Sequence, residues 1–197
     1  MKKFIFILCA LLAVVGCKPK KPVVEPVELV VENVVSTDRE KVFLDNGEYK
    51  WYETCVAYDN FFDADTTHTI ASVSNIFQIL IGDEKSFDTY VFFYNHTPVS
   101  DTVEKVHSFW IEDYPLNSEE IKVTFAEAFQ KMYEANILKP HSKNVVLRKE
   151  IGPLDANPQY IFGNSQAQVY VDAVTGEVRG YNPAFPENAQ LNYAFSW

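Results

Sequence analysis

The sequence predicts an α+β protein made of two tandem units, each with one helix packed on an antiparallel meander sheet. Two observations predict it. From residue 41 onward the chain twice runs through a helical stretch and then several short β-rich stretches, with links that favour antiparallel neighbours. Apolar residues make up 47% of the 197, including 15 Phe, 11 Tyr and 3 Trp, so each helix–sheet layer can be filled. The 17 Lys+Arg against 27 Asp+Glu give a formal charge of −10, which argues against non-specific nucleic-acid binding, since that needs clustered cations.

The first element is an address. Met1-Lys2-Lys3 is a basic start, and Phe4 to Val15 is an apolar run of about a dozen residues, short of the ~20 that span a bilayer core. It reads as a secretory signal peptide. The run ends Val14-Val15-Gly16-Cys17, which resembles a bacterial lipoprotein signal. That resemblance implies cleavage before Cys17, lipid on its thiol and new amino group, and an address at the outer membrane or cell surface rather than the inner membrane. Removing residues 1–16 takes two lysines and no acid, leaving 15 cations, 27 acids and a formal charge of −12. Cys9 would leave with the signal, and Cys55 would remain as a lone thiol, expected as a small buried hydrophobe.

Residues 17–40 come next, with Pro19, Pro22 and Pro26 among valines and acids and no glycine, a composition that suggests an extended, stiff tether. Lys18, Lys20 and Lys21 would lie near anionic headgroups. Leu29 to Val35 could alternatively add an edge strand. The first unit, residues 41–118, is expected to open with a helix near 46–62, capped by Asp45 or Asn46, with Tyr49, Tyr52, Cys55, Val56 and Phe62 near one face. Strands are expected at Ile70–Ile81, Thr89–Asn95 and Thr102–Glu112.

The second unit, residues 119–181, starts more clearly. Thr124 and Glu127 form a capping box, and Phe125, Ala128, Phe129, Met132 and Tyr133 give a helical apolar stripe that Pro140 blocks. Strands are expected at Asn144–Lys149, Gln159–Phe162 and Ala167–Asp172, then a turn at Gly176 with a short return. Residues 182–197 read as a tail.

Thr124-Phe125-Ala126-Glu127-Ala128, followed by Val169-Tyr170-Val171-Asp172-Ala173-Val174-Thr175-Gly176-Glu177-Val178, resembles a PepSY-type domain over roughly residues 121–180. With the lipoprotein signal and the doubled unit, the chain is similar to β-lactamase-inhibitor-like, PepSY-like lipoproteins of the bacterial envelope. The first half matches only in element order. The resemblance implies tandem helix-plus-sheet units whose sheet face or loops bind another protein, mostly as extracytoplasmic regulators or inhibitors of peptidases. It carries over no functional residue.

Chemistry-bearing patterns are sparse. His68, His96, His107 and His141 form no HExxH or other tight metal spacing, there is no CxxC, and seven glycines build no phosphate loop. No catalytic residue, metal or cofactor is expected. Two candidate interaction surfaces remain. Lys139, His141, Lys143, Arg148 and Lys149 concentrate cations that would meet an acidic partner, or balance acidic loops of the same molecule. Trp110, Tyr114, Tyr160, Phe162 and Tyr170 would anchor an interface, or simply fill the core. The expectation is therefore a lipid-anchored, non-enzymatic module that binds an envelope protein or peptide. A glycan-binding surface lipoprotein is the alternative, and an envelope hydrolase comes after it.

Overall fold

The computed structural model describes residues 28–62, 67–83, 86–137, 140–152, 156–164 and 167–181. Over these residues it is α+β, with two helices and an antiparallel meander sheet. The signal peptide, Cys17, the tether up to residue 27, Lys139 and the tail lie outside the described residues.

The first helix is not where the sequence places it. Helix α1 is Val31–Asn46, and residues 49–58 form strand β1, Tyr49–Tyr58. So neither the tether nor an edge strand reaches past residue 30. In α1 the buried positions are Val31, Val35, Asp38 and Val42, a helical spacing hidden by an acid in mid-stripe and by valines that favour strands. The helix has no side-chain cap at Val30, and it ends at Gly47, whose φ of 81° suits glycine.

Strand β1 imitates a helix because it contains a bulge. Its register with the next strand jumps from Trp51↔Phe77 to Glu53↔Ile76, leaving Tyr52 as the extra residue. Tyr49 and Trp51 therefore share the helix-facing side with Thr54, Val56 and Tyr58, and strict alternation fails in mid-strand.

Strands β2 (Ile70–Asp83), β3 (Ser86–Thr97) and β4 (Ser100–His107) continue the meander. A short strand β5 (Asp113–Tyr114) precedes helix α2, Phe125–Ala135. Strands β6 (Asn144–Glu150), β7 (Gln159–Asn164), β8 (Ala167–Asp172) and β9 (Val178–Tyr181) complete the chain described. The sheet order is β4-β3-β2-β1-β6-β7-β8-β9, with β5 attached to β6. From β6 onward the strands fall within two residues of expectation, as does β2; β3 begins three residues earlier than expected, and β4 ends at His107, five residues short of Glu112.

One core lies between the helices and the sheet, from Val31, Val35 and Val42 through Phe77, Phe92 and Leu147 to Phe162, Val169 and Val171. Within it a polar chain fastens α1. Trp51 Nε1 donates to Thr54 Oγ1 (3.2 Å), Thr54 Oγ1 to Asn75 Oδ1 (2.5 Å), and Asn75 Nδ2 to Asp38 Oδ2 (2.7 Å). His96 Nε2 lies 2.9 Å from Asp38 Oδ2 and its Nδ1 2.8 Å from Asp101 Oδ1, so one imidazole bridges a helix carboxylate and an edge-strand carboxylate. Asp38 is 1% exposed, and it is tolerated there because each oxygen is met.

The capping box of α2 is present as expected, with Glu127 N–H donating to Thr124 Oγ1 and Thr124 N–H to Glu127 Oε2. Phe125 N–H, another orphan donor of that first turn, reaches Glu32 Oε1 of α1 at 3.1 Å. The Asp172–Glu177 turn is built on the Asp172 carboxylate, which accepts from Val174 and Thr175 N–H at 2.8 Å each, while Gly176 takes φ 74°. Burial pushes the Asp172 carboxyl up, but those two amides with Asn157 and Gln159 outweigh it and hold it below the usual range.

Candidate functional site

The cationic segment does not form one patch. His141 is stacked on Phe61 at 4.1 Å, with Lys143 Nζ 5.0 Å from the same ring. Arg148 and Lys149 are consecutive strand residues and so point to opposite faces. Lys149 Nζ lies 3.7 Å from Glu120 Oε2, and Arg148 is enclosed by acids of its own chain. Intramolecular charge balance accounts for both.

The aromatics divide as well. Tyr160 is not a surface residue: it is 1% exposed and its hydroxyl donates to Val123 O, while Phe162 is wholly buried. The alternation that packs Val169 and Val171 in the core puts Tyr170 on the face away from the helices, where its hydroxyl donates to Gln168 Oε1. Tyr114 is half-buried in β5. Of the aromatics singled out, Tyr160 lines a small pocket with Glu32, Arg39 and Phe125, and Trp110 lines a groove on the opposite side of the sheet.

That site is built by the segment after β4. Residues 108–112 fold back over the sheet face opposite the helices, and Trp110 N–H donates to Gln78 Oε1 at 2.8 Å. The Trp110 ring meets Phe93 edge-on, with centroids 6.1 Å apart. Between this strap and the outer sides of β3 and β4 lies a groove of about 430 Å³. Val91 and Phe93 line it with Val106, Phe109, Trp110 and Ile111, and Glu104 and Glu112 add the two charges. Phe109 and Ile111 are 62% and 75% exposed, a degree that Phe43 and Leu44 on α1 nearly match, but here the two side chains line a groove beside Val91, Phe93 and Val106.

The strap is pinned on its other side by a partly buried charge cluster. Trp110 Nε1 donates to Asp113 Oδ2 (3.2 Å), and Asp113 Oδ1 lies 3.7 Å from Arg148 Nε. Arg148 Nη2 also donates to Glu150 Oε1 at 2.5 Å, and Glu53 lies opposite Arg148 in the β1–β6 register. Burial, and next the Asp113 charge, push the Glu53 carboxyl up to about 7 against the pull of Arg148. Burial raises Asp113 too, opposed by Arg148 and the Trp110 N–H. Burial works against the Arg148 charge, but Glu150 and Asp113 outweigh it and keep the guanidinium firmly cationic. Cys55, on the same face, is pushed up to about 11 by burial and then by Glu53, which suits an inert thiol.

Sequence reasoning missed Phe93, Phe109, Ile111, Glu53 and Asp113. Glu53 had a signal, an acid set inside the apolar run Trp51 to Val56. Phe109-Trp110-Ile111 reads in the sequence as the end of a strand, whereas β4 stops at His107 and these residues form the strap. Among the described residues no cluster of His, Cys, Asp and Glu could hold a metal ion, and no helix is long and apolar enough to cross a membrane. No family model matches the chain, and neither a curated protein nor a solved structure is significantly similar to it.

Proposed function

We propose that the chain is a lipid-anchored, non-enzymatic module of the bacterial cell envelope that binds a protein or peptide through the Trp110 groove, as an inhibitor or regulator of an extracytoplasmic enzyme. The observation that carries the reading is the groove itself: an apolar floor, two exposed apolar side chains and two carboxylates, all held in shape by a pinned strap. Interfaces favour such rigid aromatic centres with a charged rim. The lipid anchor rests on Gly16-Cys17 after the apolar run. The tandem, PepSY-like organisation is supported by element order, since a helix followed by a four-stranded meander occurs twice, and the first strands of the two passes, β1 and β6, lie side by side.

The test is photo-crosslinking in the intact envelope, with a benzophenone side chain at position 109 of the full-length lipoprotein. Position 44 serves as control, because Leu44 is equally exposed but lies on α1. One defined adduct is expected from position 109, lost on Trp110→Ala and absent from position 44. Adducts of equal yield from both positions, or none from 109, would overturn the reading. For the anchor, a Cys17→Ser protein is expected to leave the membrane fraction, and full retention there would contradict it.

A further inference from the structure

The groove has an open strand beside it. β4 is the end strand of the sheet order, all eight of its residues are exposed, and among the described residues it pairs with β3 alone. The hairpin register fixes which of its backbone groups are free. Thr97↔Ser100 closes a two-residue turn, and Ser108 N–H donates to Thr89 O at 3.1 Å. Hydrogen-bonded pairs alternate between these ends, so Thr102, Glu104 and Val106 bond to β3. The N–H and C=O groups of Asp101, Val103, Lys105 and His107 consequently face outward, four donors and four acceptors along one line.

Natural sheets guard such an edge with lysine, proline or a bulge. β4 has no proline, and its register with β3 is unbroken. Its one lysine is turned away, with Lys105 Nζ 4.0 Å from the Tyr90 ring and 5.3 Å from Phe92 on the helix-facing side. On the other side, Glu104 and Val106 line the groove and Thr102 shares their face, so a strand added to β4 would bring alternate side chains over it.

Resting on the groove reading above, we infer that β4 receives an extended segment of the partner as an added strand, one that carries large apolar and cationic side chains at alternate positions on its groove-facing side. The apolar side chains meet Val106, Phe109 and Ile111. The cations meet Glu104 and Glu112, which among the described residues have no ion pair and are the charged groups that line the groove. Main-chain bonds to the edge supply affinity, and the groove supplies selection.

The probe is a capped nine-residue peptide with threonine at odd positions and Arg, Leu, Leu, Arg at even positions, so that one face of its strand is uniformly recognised in either direction. Its binding to the full chain is followed by fluorescence anisotropy, and amide exchange is read on the wild-type protein. The inference expects binding, new protection of the Val103 and Lys105 amides, and at least tenfold weaker binding of a version with Glu in place of Arg. It also expects a tenfold or larger loss with Val103→Pro, which removes an outward donor and leaves the β3 ladder intact. Unchanged affinity with Val103→Pro and no new protection, together with loss on Trp110→Ala, would overturn strand addition and leave the groove reading standing. No binding of the peptide at all would overturn the inference. So would a wild-type dimer that Val103→Pro dissociates, since the edge would then belong to a second copy.

Discussion

Glu53→Gln should stabilise the protein at alkaline pH and leave it nearly unchanged in acid. Glu53 is held among apolar strand residues with Asp113 close by, and its carboxyl rises from 4.5 to about 7 in the folded protein. A proton is therefore bound more tightly in the folded chain than in the unfolded one. The associated stability is whole below about pH 4.5 and is lost as pH climbs through about 7, and the displacement corresponds to roughly 3 kcal/mol. Glutamine keeps the size and a hydrogen-bonding end but never ionises, so at pH 8 the variant escapes most of that loss. Arg148 keeps Glu150 and Asp113 as partners, so the substitution leaves no bare cation. Urea unfolding of the full chain, followed by tryptophan fluorescence at pH 5 and pH 8, measures the difference. The variant should exceed wild type by about 2–3 kcal/mol at pH 8 and by under ~1 kcal/mol at pH 5. Equal stabilities at pH 8 would refute the electrostatic account of the cluster that pins the strap.

Asp38→Ala should cost about 1–3 kcal/mol in the same assay, because it strands Asn75 Nδ2 and takes one of two carboxylates from the partly buried His96. A loss below ~1 kcal/mol would mean that the polar chain under α1 contributes little. Asp172→Ala should destabilise near neutral pH by freeing the Val174 and Thr175 amides, at about 1–3 kcal/mol. Since the Asp172 carboxyl lies below its ordinary value of 3.8 in the fold, its contribution is present above that pH and fades as pH falls further. The gap between variant and wild type should therefore narrow as pH falls below 3.8, and a gap that stays constant would contradict the turn's dependence on the charge.

The second half of the fold was more legible than the first, and particular residues show why. Thr124 and Glu127 state a helix start in local chemistry, and Gly176 states a turn by its backbone freedom; neither depends on distant contacts. In the first half both helix and strand depend on tertiary partners. α1 starts without a side-chain cap and carries Asp38 in its buried stripe, which makes sense only once Asn75 and His96 are in place. β1 loses its alternation at Tyr52, where the extra residue shows itself only against β2. The candidate site was legible at Trp110 and little further. The cationic residues were visible as a run, but strand alternation sends Arg148 and Lys149 to opposite faces, where Asp113 and Glu120 reach them from other segments. Burial of Tyr160 follows from its bond to Val123 O, thirty-seven residues away, and no local pattern announces that.

The central claim is that the Trp110 groove is a recognition surface, and its most direct test removes the apolar side chains that solvent already reaches. Phe109 and Ile111 are 62% and 75% exposed, so Phe109→Ser with Ile111→Ser should leave the unfolding midpoint in place. Isothermal titration of the full chain with the Arg-Leu-Leu-Arg peptide should show binding by wild type and at least a tenfold loss in the double variant. Equal affinity of the two proteins would contradict the account.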